Sequence, residues 1–142
     1  MGTIYSGICK KCGKLYNYNL GIGFFYSPRN LLDIECQENL TTIYKEKKRK
    51  EELISLLKNK ECILEDGYGY KLCRCPKCDK VSKKFVFKLI KNNGEEFKSI
   101  YKCHDCRWYE LVPIEEDNLF NENIKCSTCG EAIELYESGL WD

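Results

Sequence analysis

Eleven cysteines stand in a chain of 142 residues, and eight of them form four C-x2-C pairs: Cys9/Cys12, Cys75/Cys78, Cys103/Cys106 and Cys126/Cys129. Two residues between thiols close a tight turn that puts both sulfurs on one side, and two such knuckles supply the tetrahedral thiolate shell that zinc prefers. Four pairs therefore predict two zinc ions. No spacing typical of an iron–sulfur cluster appears. Cys36, Cys62 and Cys73 are left over; in KLCRCPKC, residues 71–78, Cys75 and Cys78 bracket Pro76-Lys77 as a knuckle, and Cys73 belongs to the strand that leads in.

Elements that position these pairs follow from the flanks. Alternating or β-rich residues lead into and out of each knuckle: TIYSGI and KLYNYNL around the first, GYGYKL and KKFVFKLI around the second, FKSIY and WYELVP around the third, IKC and AIELYES around the fourth. The turn Lys91-Asn92-Asn93-Gly94 is expected to fold the strand leaving the second knuckle back as the strand entering the third. The predicted architecture is a small, metal-stabilised α+β fold of two zinc ribbons joined by that β-hairpin. Ribbon one occupies residues 1–91 and ribbon two, the acidic one, residues 92–142.

Between the first two knuckles lies an insertion at about 27–66. Ser27 as cap and Pro28 at the first helical position predict a short helix over 28–38, and KEKKRKEE followed by Leu53, Ile54, Leu56 and Leu57 predicts a second over 46–59. Its apolar face must pack on something, and the aromatic face of ribbon one is the expected partner. Gly21-Ile22-Gly23 reads as a bend turning the chain toward these helices, with Phe24 or Tyr26 in the core.

Spacing does not decide which knuckles share a metal. Nineteen residues separate Cys106 from Cys126, 24 separate Cys78 from Cys103, and 62 separate Cys12 from Cys75. The flanks favour Cys9, Cys12, Cys75 and Cys78 for one site and Cys103, Cys106, Cys126 and Cys129 for the other. The same hairpin that joins the ribbons brings the second and third knuckles together, which makes Cys75, Cys78, Cys103 and Cys106 the competing quartet.

The pattern CKKCG at 9–13, GIGFFYSP at 21–28, a helical stretch, a strand into a second C-x2-C and a closing pair of knuckles ending in CSTCG resembles a group of uncharacterised bacterial zinc-ribbon proteins. The resemblance spans most of the chain and is most specific in residues 9–28. It implies that knuckle one pairs with two and three with four, and it implies no activity. Asp79 and Arg107 stand where the group has glycine after a knuckle, and the segment between the second and third knuckles is shorter than in the group.

Formal net charge is only +1, yet residues 44–103 hold 17 Lys and Arg against 9 Asp and Glu, and residues 104–142 hold 2 against 10. The bland expectation is that the two regions attract each other within the fold. As contact surfaces, they predict either nucleic-acid binding by Lys80, Lys83, Lys84, Lys88 and Lys91 on the strand region 71–91, or docking of the acidic half, with Glu115, Glu116, Asp117, Glu131 and Glu134, on another protein. Phe85 and Phe87 are expected to face the ribbon core and leave the lysines to solvent.

Catalysis is not expected. His104 is the single histidine, its neighbours already fill the third knuckle, and four thiolates per metal leave no open coordination position for a substrate or water. No small-molecule substrate is expected. The opening MGTIYSGICKK has no basic segment followed by an apolar one, and nowhere do eighteen apolar residues run together. A cytoplasmic location is expected, where paired cysteines mean metal more often than disulfide. The function favoured is a non-catalytic zinc-ribbon binding module, a protein-interaction adaptor or an inhibitor of another macromolecule of the kind a mobile element carries; nucleic-acid binding is the alternative.

Overall fold

The computed structural model describes residues 2–24 and 26–142. Its strands form three three-stranded antiparallel sheets. In the first, β1 (Gly2–Ile8) lies between β2 (Leu15–Leu20) and the last strand of the chain, Tyr136–Trp141. Thr3 faces Leu20 on one side and Leu140 on the other, with a register shift between Ile4 and Tyr5.

The insertion follows. Ser27 accepts a hydrogen bond from Asn30 N and Pro28 opens α1 (Pro28–Leu31), as the capping rule predicts. The helix stops well short of residue 38. Asp33 accepts from Glu35 N, and the Asn39 amide donates to the Ile34 and Cys36 carbonyls while its oxygen accepts from Thr41 N. Short polar side chains thus offer the backbone better partners than a continued helix would, and Asn39 caps α2 (Leu40–Ile43). Next comes α3 (Lys47–Asn59), whose Leu53, Leu56 and Leu57 are buried.

The second sheet is β3 (Cys62–Leu64), β6 (Lys88–Lys91) and β7 (Glu96–Lys98), with β6 central; the third is β4 (Gly69–Arg74) between β5 (Val81–Val86) and β8 (Val112–Pro113). The closing strand Tyr136–Trp141 is β9. KKFVFKLI, expected as one strand, divides at Phe87, whose N–H donates to the Ser99 hydroxyl and whose carbonyl accepts from Ser99 N. The turn at Lys91–Gly94 forms as expected: Gly94 N donates to Lys91 O, and Lys91 N to Glu95 O.

Leu53, Leu56 and Leu57 share a core with Phe85, Phe87, Leu89, Phe97 and Tyr44, so the α3 face packs on the aromatic strand residues. A second core gathers Tyr5, Tyr16, Leu20, Leu72, Ile114, Ile124 and Leu135. The bend at Gly21 ties the two regions together: Gly21 N donates to Tyr70 O and Tyr70 N to Gly21 O, both at 2.8 Å. Trp141 closes the joint. Its Nε1 donates to Leu20 O, and a Cβ at Gly23 would come within 2.7 Å of its ring. Phe24 is exposed and Tyr26 half-buried.

Candidate metal centres and the basic cleft

All four C-x2-C pairs fold as the same knuckle. The first cysteine of each donates its N–H to the carbonyl five residues on (Lys14, Lys80, Trp108, Glu131), and its carbonyl accepts from the N–H four residues on (Gly13, Asp79, Arg107, Gly130). That last residue has φ between +61° and +79° in every case. Glycine suits such a position; Asp79 and Arg107 adopt it at a cost.

The eight thiols form two groups: Cys9, Cys12, Cys126 and Cys129, and Cys75, Cys78, Cys103 and Cys106, each with its four sulfurs within 4.8 Å of one another. In the first, Cys9 Sγ is 3.2 Å from Cys129 Sγ and Cys12 Sγ 3.6 Å from Cys126 Sγ; in the second, Cys75 and Cys106 are 3.4 Å apart and Cys78 and Cys103 3.5 Å. Four thiolates around zinc at about 2.3 Å would lie about 3.8 Å apart, so both groups fit a metal of this size with little movement.

The expected partnering, Cys9/Cys12 with Cys75/Cys78 and Cys103/Cys106 with Cys126/Cys129, is therefore incorrect. Knuckle one pairs with four, and two with three. The reason lies in the strands. β1 takes β9 as its neighbour, which brings the fourth knuckle to the first, while the β6–β7 hairpin carries the third knuckle back onto the second. The ribbon boundary expected at 91/92 falls in that hairpin turn, and each group draws ligands from both sides of it.

The first thiol of each knuckle is lowered from the ordinary cysteine value. Cys126 is lowered to about 5, first because the Tyr16 hydroxyl, 3.1 Å away, donates to it. Cys103 is lowered to about 6, first by the Cys106 N–H. Cys9 is lowered by the Cys12 N–H, and Cys75 is lowered because the Cys78 and Lys77 N–H groups outweigh its burial. The partners go the other way: for Cys129 the Glu131 N–H is outweighed by its contact with Cys9 and by burial, which pushes it up to about 12. Four thiolates so close repel one another unless a cation sits among them, and a dication resolves that conflict.

Cys73 joins neither group; it is buried beside the second, and burial pushes its thiol up to about 11. Cys36 and Cys62 also stand outside. His104 is exposed and is not among the ligands.

Much of the charge asymmetry is spent inside the chain, as the bland reading expects. Lys71 pairs with Glu115, Arg74 with Asp79 and Glu122, Lys125 with Asp79, Lys98 with Glu110 and Lys11 with Glu131. Tyr5 donates to Glu116. The five candidate lysines divide. Lys80 pairs with Asp105, Lys88 with Glu65 and Glu96, and Lys91 with Glu52 and Glu95. Lys83 and Lys84 sit instead over aromatic rings, Tyr70 at 4.7 Å and Tyr101 at 5.5 Å, and Lys84 Nζ is 3.4 Å from His104 Nε2.

Both line a cleft of about 780 Å³ between the insertion and the third knuckle. Lys45, Lys102 and Arg107 add positive charge, Glu46 is the one carboxylate on its lining, and Tyr70, Phe85 and Tyr101 are its aromatic residues. Phe85 and Phe87 are buried as expected, so the accessible rings are tyrosines. Sequence reasoning missed Tyr16, Tyr70, Tyr101, Lys102 and Arg107 as functional residues. Lys102 and Arg107 immediately flank the third knuckle, which the predicted hairpin brings near the second.

No protein-family model, curated protein or solved structure matches the chain. No helix among the described residues is long and apolar enough to cross a membrane.

Proposed function

We propose that this protein is a non-catalytic binding module, built on two zinc ions, that takes nucleic acid in the cleft between its insertion and its third knuckle. The observation that carries the reading is the distribution of charge. Salt bridges within the chain engage Lys80, Lys88 and Lys91 of the five candidate lysines, whereas Lys83, Lys84, Lys45, Lys102 and Arg107 converge on one concavity with a single carboxylate on its lining. A low-dielectric cleft lined by one sign of charge concentrates field and attracts a polyanion, whatever the net charge of the molecule. Zinc is the metal that four thiolates at C-x2-C spacing suit best, and closed four-thiolate shells give the metal a folding role rather than a catalytic one.

The adaptor or inhibitor reading rests on the acidic half. Glu115, Glu116 and Glu131 already have partners within the chain, which leaves that half less charge to offer another protein.

Fluorescence anisotropy with a labelled oligonucleotide and the metal-loaded chain tests the proposal. Affinity is expected to fall steeply with salt as phosphate counterions are released. Lys83→Glu with Lys84→Glu should weaken binding at least ten-fold and flatten the log–log salt slope by about two. Lys88→Glu, at a position between Glu65 and Glu96, should do much less. Absence of binding at low salt, or an affinity insensitive to salt, would refute it.

A further inference from the structure

We infer that the cleft is shaped for a single strand rather than a duplex, with bases seated on the Tyr70 and Tyr101 rings and phosphates on the cations around them; this rests on the reading of the cleft as a nucleic-acid site. The two rings are half-buried and fixed from behind. Tyr70 meets Phe85 edge-to-face at 5.0 Å and Tyr26 at 5.7 Å. Tyr101 meets Tyr44 edge-to-face at 5.3 Å, and its hydroxyl donates to Phe85 O. On the cleft side each ring is covered by a lysine head, Lys83 over Tyr70 and Lys84 over Tyr101.

That arrangement combines two properties. A ring already immobilised loses little entropy when a base stacks on it, and every base has a π-face to offer. A lysine on a flexible four-carbon stem can leave the ring face and follow a phosphate, so the cation that covers the ring in the free protein becomes the backbone contact in the complex. Lys45, Lys102 and Arg107 extend the phosphate track along the lining.

A duplex cannot use this surface in the same way. Its bases are stacked inside and present only their edges in the grooves, out of reach of recessed rings. Reading those edges usually calls for a protruding helix or β-ribbon. Among the described residues α3 is the one helix longer than four residues, and its apolar face is committed to the aromatic core. Only rim cations would touch a duplex, giving weak binding through phosphates alone.

The test uses the metal-loaded full chain and four labelled probes of about 12 nucleotides, a length within the range single-strand sites cover: a thymidine DNA strand, a uridine RNA strand, a DNA duplex and an abasic DNA strand. The tighter of the two base-bearing strands is expected to bind at least ten-fold more tightly than either the duplex or the abasic strand. Tyr70→Leu and Tyr101→Leu should each weaken it about ten-fold while leaving abasic binding and the salt slope unchanged. Tyr70→Phe, which keeps the ring, should bind as the parent does, and unchanged metal content in each variant shows that it has folded. If duplex and abasic strand bind as tightly as the base-bearing strands, and Lys84→Glu weakens all of them, the stacking inference fails and the nucleic-acid reading stands. If no probe binds, or if polyglutamate displaces the thymidine strand as effectively as unlabelled strand does, both fail.

Discussion

At the residue scale the chemistry belongs to the knuckle thiols and to what donates to them. Tyr16 is the clearest case: its hydroxyl donates to Cys126 Sγ and accepts from Ser127 N at 3.0 Å. Metal binding requires deprotonated thiols, so protons compete with the metal as pH falls. The Tyr16 hydrogen bond favours the Cys126 thiolate and holds its folded value at about 5; losing it raises that value. Tyr16→Phe is therefore expected to release metal at a higher pH than the parent, measured with a chromogenic chelator across a pH series. Release at the same or a lower pH would remove Tyr16 from the site. The ligand types were legible from spacing alone. Tyr16 was not, because nothing in a C-x2-C pattern marks which tyrosine of KLYNYNL the distant fourth knuckle will meet.

Among elements, the knuckle dictates its own backbone. Asp79 and Arg107 depart from the glycine that the resemblance leads one to expect, yet both take the left-handed conformation the turn needs. Arg107→Gly should stabilise the chain by about 0.5–1 kcal/mol, the difference between the left-handed cost of a side chain and the unfolded-state entropy of glycine. Lys60, with φ of 54° just beyond α3, should gain similarly from glycine. Asp79→Gly should gain nothing, since its pairs with Arg74 and Lys125 are lost. Thermal unfolding of the three variants in the metal-loaded state checks the ordering. In the opposite direction, Gly23→Ala should cost about 1–3 kcal/mol, because its Cβ would meet the Trp141 ring and the Asp142 backbone. Capping at Ser27, the helix at 47–59 and the hairpin at 91–94 were readable because local rules decide them. The end of α1 and the break at Phe87 were not, since side chains of Asp33, Asn39 and Ser99 redirect the backbone there.

For the whole molecule, sequence order misleads. Consecutive knuckles along the chain seemed natural partners, but the molecule nests one cysteine group inside the other, with its first and last strands side by side. Strand pairing across more than a hundred residues decides this, and no local pattern reports it. Structural zinc contributes about 10–16 kcal/mol per site in small peptides, as much as the whole stability of an ordinary domain. Chelation of both ions should accordingly unfold the chain, seen as loss of near-ultraviolet circular dichroism, whereas losing one ion should spare the other group, since each packs in its own buried cluster. The outer group also fixes the most direct test of the account. Metal content per chain is measured in the parent, in a variant with Cys9, Cys12, Cys126 and Cys129 all changed to Ser, and in one with Cys75, Cys78, Cys103 and Cys106 changed to Ser. Nested groups predict about two metal ions in the parent and about one in each variant, because each set of substitutions removes one complete site. Consecutive pairing would break both sites in both variants, and variants that hold no metal beside a parent that holds two would contradict the nested arrangement.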